Sequence, residues 1–141
     1  MFKLSEKQKY DLITILKDLA LHDRNFNSLE SVRIRMAGLK MDLQAAKIDE
    51  ALYEDTESLE NVLEKLSVFQ TEEEKKFTYQ QCLLLLMADR EISEGEKEAL
   101  SQIQTALNID QSTHQALLQW VQEGMDWEKK GEQIVGGQLG I

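Results

Sequence analysis

No proline occurs anywhere in the chain of 141 residues, where average usage would place about seven. Proline removes a helical hydrogen bond and clashes with the preceding turn, so a chain without it can run from helix to helix unbroken. Glycine adds little punctuation, because four of the seven glycines fall after residue 130. The fold class expected is therefore all-α, a single-domain helical bundle. The length is enough for one buried core without disulfide staples. Cys82 is the single cysteine and has no partner for an internal disulfide, which favours a reducing compartment.

Periodicity and capping signals predict about seven helices. The first spans about Ser5 to Leu21, with Leu12, Leu16 and Leu19 inward. The second follows Asn27, which has capping-box spacing to Glu30, and turns Leu29, Val32, Met36 and Leu39 inward. A short third covers about Gln44 to Tyr53, and a fourth starts near Asp55 and carries Leu59, Val62, Leu63, Leu66 and Phe69. The fifth begins at Thr71, boxed with Glu74, and reaches Ala88; its apolar second half makes it the expected central helix. The sixth opens on a Ser93–Glu96 box and the seventh follows Asp110, with Leu117, Val121 and Met125 inward. Beyond Trp127 the glycines suggest a loose tail over 128–141.

Shifting the sequence by 66 residues lays Asp23-Arg-Asn-Phe-Asn-Ser-Leu-Glu30 on Asp89-Arg-Glu-Ile-Ser-Glu-Gly-Glu96. The shared pattern is Asp-Arg-x-[Phe/Ile]-[Asn/Ser]-x-x-Glu, set between two predicted helices each time. Downstream, Met41-Asp42-Leu43 falls on Leu107-Asn108-Ile109 and Leu52 on Leu118. This implies an internal duplication, with repeat units of about 5–53 and 71–121 joined by a helix at about 55–69. Neither half looks able to bury its apolar stripes alone, so one core shared about a pseudo-twofold axis is expected.

Leu86-Met-Ala-Asp-Arg-Glu-Ile-Ser-Glu-Gly-Glu96, followed by a helix closing on Leu107-Asn-Ile-Asp110, resembles the TerB-like family named for tellurite resistance. The likeness is best over about residues 71–121 and absent from the tail. It implies an all-helical domain built from a duplicated unit, associated with bacterial stress response and without established catalysis. It also implies acidic loop residues suspected of binding divalent cations. The matching positions are Asp89, Ile92, Ser93 and Glu96, with Asp23, Phe26, Asn27 and Glu30 in the first copy. Arg24 and Arg90 stand where the family usually has glycine, and a guanidinium there neutralises part of the charge that attracts a cation.

On their own chemistry the loops allow two readings. Asp23 and Glu30, Asp89 and Glu96, with Glu91 and Ser93 beside them, offer oxygen ligands suited to Ca²⁺ or Mg²⁺, bound weakly. The same residues at the same spacing are helix caps that satisfy free amides. A Mg²⁺-dependent hydrolase is a third reading, and it lacks an accompanying base or nucleophile. His22 and His114 show no zinc or di-iron spacing, and no phosphate loop is present. No enzyme is expected.

With 16 basic residues against 26 acidic ones, the net charge of −10 argues against nucleic acid and anionic membrane surfaces. The longest apolar run, Cys82 to Ala88, is seven residues against about twenty for a bilayer, so a cytoplasmic protein without membrane insertion is expected. Trp120, Met125 and Trp127 lie near the end of the helical region. The favoured reading packs them over the last helix of the core. Left exposed, they would mark a patch for a protein partner or a homodimer.

Overall fold

A computed structural model of the chain describes residues 3–21, 28–55, 58–87 and 92–136. Among the described residues it is helical throughout, without strands: α1 (Glu6–Leu21), α2 (Ser28–Lys40), α3 (Ala45–Leu52), α4 (Leu59–Lys65) with a 3-10 turn at Leu66–Val68, α5 (Glu72–Leu86), α6 (Glu94–Ala106) and α7 (Gln111–Val135). Helix starts are fixed by side chains that satisfy the first free amides. Thr71 Oγ1 accepts from the Glu74 amide at 3.1 Å, while Glu74 Oε1 accepts from the amides of Thr71 and Gln70 at 3.3 and 2.8 Å. Ser93 and Glu96 form the same reciprocal box, and Asp110 Oδ1 accepts from the Thr113 amide at 2.7 Å. Asn27, the cap expected for α2, and Ala88, the expected end of α5, lie outside the described residues.

The 66-residue spacing recurs in the backbone. Glu6 and Glu72 open α1 and α5, α2 and α6 begin and end at matching positions, and Ala45 and Gln111 open α3 and α7. Ser5 and Gln8 exchange the pair of hydrogen bonds that Thr71 and Glu74 exchange. Both α2 and α6 end in a left-handed residue, Asp42 (φ 61°) and Asn108 (φ 55°). In each the next amide reaches back five residues, Leu43 to the Gly38 carbonyl and Ile109 to that of Gln104, both at 3.0 Å. Asp and Asn tolerate this conformation better than most residues because their short polar side chains bond locally.

One hydrophobic cluster joins both halves, from Leu12 and Ile34 through Tyr79 and Leu83 to Ile103 and Val121. The expected central role of α5 is shared with α1, in which every residue from Leu12 to Ala20 is buried. α1 lies against α2, α3, α4 and α5, so beyond its exposed first turn little of it is left for water.

Three expectations differ from the fold. On α2 the inward residues are Glu30, Ile34 and Ala37, whereas Val32, Met36 and Leu39 are exposed. Gly38 decides between the two stripes: a Cβ there would meet Ile48 Cδ1 at 2.6 Å, so its side of α2 must take the close approach of α3. α4 begins at Leu59 and not near Asp55, because Ser58 Oγ accepts from the Asn61 amide at 3.2 Å. Finally, residues 128–135 are not a loose tail, because α7 continues to Val135 and stops at Gly136 with φ 97°. The run Glu-Lys-Lys-Gly-Glu-Gln is rich in helix formers, and one interior glycine costs about 1 kcal/mol, too little to end it. Residues 137–141 lie outside the described residues.

Candidate functional site

Of the residues expected at a cation site, Asp23, Asp89 and Glu91 lie outside the described residues. Glu30 and Glu96 sit in the first turns of α2 and α6, and both are buried. Glu96 Oε1 accepts from the Ser93 amide at 3.0 Å and Ser93 Oγ accepts from the Glu96 amide at 3.1 Å. This pair therefore caps a helix, whatever else its remaining lone pairs do. Among the described residues no group of three or more His, Cys, Asp and Glu side chains converges as a metal cage would require.

Trp120 and Trp127, 47% and 77% exposed, do not cover the core, contrary to the favoured sequence reading. The helix face that docks on the body uses Leu117, Leu118, Val121 and Met125, with Trp120 at the edge of the groove beside it and Trp127 the more exposed of the two. α7 is 25 residues long, about 37 Å at 1.5 Å per residue, and its far half outruns the helices it packs on. Beside Trp120 a groove of about 290 Å³ opens between α2, α5 and α7. Leu84, Met87, Val121 and Met125 form its apolar floor. Arg33 and Glu128 face each other at its edge, 3.9 Å apart.

The outer face of α2 supplies a second apolar surface. Val32, Met36 and Leu39 recur at helical spacing and are 42%, 47% and 63% exposed. Their equivalents 66 positions on, on α6, are Glu98, Gln102 and Thr105. Helices that start and stop alike thus present unlike faces to solvent.

Two buried polar arrangements escaped the sequence reading. Lys17 Nζ lies 3.3 Å from Asp18 Oδ1 and Lys65 Nζ lies 3.7 Å from Asp18 Oδ2, with the Lys17 and Asp18 side chains almost wholly buried. Lys17 also donates to the backbone carbonyl of Glu54, and to that of Asp55 at 3.4 Å, fastening α1 to the chain after α3. A Lys-Asp pair set within Leu12–Leu21, an otherwise apolar stretch, was the available signal. Second, the hydroxyl of buried Tyr79 lies 2.6 Å from His114 Nδ1, tying α5 to α7. Burial pushes the Tyr79 phenol up, and burial alone pushes the Cys82 thiol up to about 12. Such a thiol is protonated and a poor nucleophile at neutral pH.

No family model, curated protein or solved structure matches the chain. Among the described residues no helix is long and apolar enough to cross a membrane.

Proposed function

We propose that the chain is a non-enzymatic helical interaction module of the TerB-like kind, cytoplasmic, that docks a protein partner through the outer face of α2. The carrying observation is the exposed Val32–Met36–Leu39 stripe, set against Glu98, Gln102 and Thr105 at the matching positions of α6. Solvent alone would favour polar residues on both helices, and a contiguous exposed apolar stripe marks an interaction surface. An internal duplication, with the two units about a pseudo-twofold axis, is part of this reading. It is supported by the shared helix bounds, the paired reciprocal caps and the left-handed Asp42 and Asn108. One copy has kept a plain outer face and the other has turned its face to binding.

The test replaces Val32, Met36 and Leu39 by the residues of α6, as Val32→Glu, Met36→Gln and Leu39→Thr together. The variant should keep its circular dichroism and thermal midpoint and lose capture of the partner. Equal capture by both proteins would refute the assignment. The acidic loops enter as helix caps, so Asp89→Asn should leave capture unchanged. The weak Ca²⁺ or Mg²⁺ site is the second reading, which the paired burial of Glu30 and Glu96 favours. A midpoint raised by millimolar Ca²⁺ or Mg²⁺ in chelator-treated protein, and lost in Asp23→Asn or Asp89→Asn, would establish it.

A further inference from the structure

The exposed side of α7 carries a second pattern, unconnected with α2. Leu117, Trp120, Gly124, Trp127, Gly131 and Ile134 follow one another at alternating steps of three and four. This is a heptad seam, about 26 Å long at 1.5 Å per residue. Leu117, Gly124 and Gly131 hold its a positions, while Trp120, Trp127 and Ile134 hold its d positions. Trp120, Trp127 and Ile134 are exposed, Ile134 at 78%, while Leu117 at the head of the seam is half-buried against the chain's own core. A Cβ built on Gly124 or Gly131 meets nothing within 4 Å, so the chain's own packing gives neither glycine a reason to be there. Each costs about 1 kcal/mol against alanine in a helix interior. Glycines one heptad apart, alternating with indoles one heptad apart, are holes alternating with knobs.

We propose that the protein forms a twofold-symmetric dimer by pairing α7 antiparallel with α7 of a second copy. Antiparallel helices place a positions opposite d positions, and one register satisfies the whole seam. Trp120 then faces Gly131 of the partner subunit, Trp127 faces Gly124 of the partner subunit, and Ile134 meets the part of Leu117 of the partner subunit that its own core leaves uncovered. By symmetry each contact occurs twice, as an isologous interface requires. Large against small is the arrangement that fills the space between helices. A parallel pairing would instead set indole against indole and leave voids at the glycine layers.

Charge selects the same direction. In the antiparallel register Glu123, beside the seam, faces Lys130 of the partner subunit, and the reciprocal pair repeats the attraction. In a parallel pair Glu123 would face Glu128 of the partner subunit. Area is adequate as well: four indoles burying on the order of 150 Å² each supply about half of the ~1,200 Å² that a specific interface needs. The two leucines, the two isoleucines and the groove lip beside Trp120 add to this. Because α7 meets its own body as far as Met125 and Glu128 while Ile134 and Val135 are exposed, its last turns are left to lie beside the partner's body.

Sedimentation velocity on the full chain across micromolar to millimolar concentration tests the proposal. The wild type should be a dimer, and Trp127→Ala should weaken it on the order of 30-fold, as for a central aromatic anchor. Gly124→Trp fills the hole and should also dissociate it, whereas the exchange Gly124→Trp with Trp127→Gly restores knob to hole and should recover the dimer. Glu123→Lys should weaken it and Glu123→Lys with Lys130→Glu should recover it. A wild type monomeric throughout overturns the proposal. So does a dimer insensitive to Trp127→Ala, or one strengthened by Gly124→Trp as a merely greasy patch would be. The α2 triple variant should remain dimeric, so failure of partner docking and failure of self-pairing are read separately.

Discussion

At the scale of single residues the molecule holds a charge cluster where a helix-stripe reading puts only apolar packing. Asp18 is enclosed by α1 and α4 with Lys17 and Lys65 as its cations, and Lys17 spends its remaining donors on the carbonyls of Glu54 and Asp55. Removing one member of a buried pair leaves the other desolvated, which costs about 3–5 kcal/mol, more than the pair contributes over an apolar replacement. Lys17→Met should therefore destabilise by roughly 3 kcal/mol in urea unfolding. Adding Asp18→Leu should recover much of that loss, a coupling that a double-mutant cycle measures directly. If the two losses simply add, the pair does not act as a unit. Cys82 gives a second residue-scale prediction. Fully buried, with its thiol pushed up to about 12, it should resist a disulfide reagent at pH 8 in the native protein and react at once in guanidinium. Rapid native labelling would mean that α5 opens locally. The thiol's burial was readable from the apolar run around it, whereas the ion cluster was not, because nothing in a linear stripe says which long side chain will reach a distant carbonyl.

Elements were most readable where their ends are chemical. Thr71 with Glu74, Ser93 with Glu96, and Asp110 are caps in the sequence and caps in the fold, since an N-cap needs only local side chains and local amides. Faces were less readable. The more apolar stripe of α2 faces outward, and Gly38 sets the inward side through a contact with Ile48 that lies on another helix. The end of α7 is hidden for the opposite reason: glycine reads as a breaker, yet Gly131 sits inside the helix and Gly136 ends it. The caps carry a pH dependence whose sign is fixed. Hydrogen bonds from the Gln70 amide, then from Thr71 and Gln8, hold Glu74 below its ordinary value, outweighing the desolvation that opposes them. A depressed carboxylate contributes its stability in full above the unfolded pKa and loses it as pH falls through the folded one. Glu74→Gln keeps an acceptor without the charge, so it should be less stable than wild type near pH 7 and show a shallower acid limb. Urea midpoints from pH 7 down through the carboxylate range measure both, and parallel limbs would refute the assignment. Ser93→Ala should cost about 1 kcal/mol at any pH in that range, because the cap it removes is a neutral hydroxyl.

At the scale of the whole molecule the question is whether the two units could stand apart. Their helices start at matching positions, yet the buried surface is arranged between them: α1 rests on α5 as well as on α2 and α3, and α2 also meets α5. Cutting the chain after residue 70 would uncover the α5-facing side of α1, a helix buried without a break from Leu12 to Ala20. It would also take α1 and α2 away from α5. A unit of about 60–70 residues buries only about 60% of its unfolded surface even when well packed, and neither of these would be well packed. The shift of 66 residues aligns helix starts, and the single hydrophobic cluster that runs across it agrees with the expectation of one shared core. The caps and turns follow from local residues, while the shared core comes from sides of α1 and α5 that no periodicity assigns to a particular neighbour. The fragments 1–70 and 71–141 should each show weak helicity and no cooperative melt by circular dichroism. An equimolar mixture should regain helicity and a sigmoidal transition, since the missing cover is then supplied in trans. Either fragment melting cooperatively by itself would show that its core closes alone, and the interface between α1 and α5 would then be a contact between domains, not the centre of one.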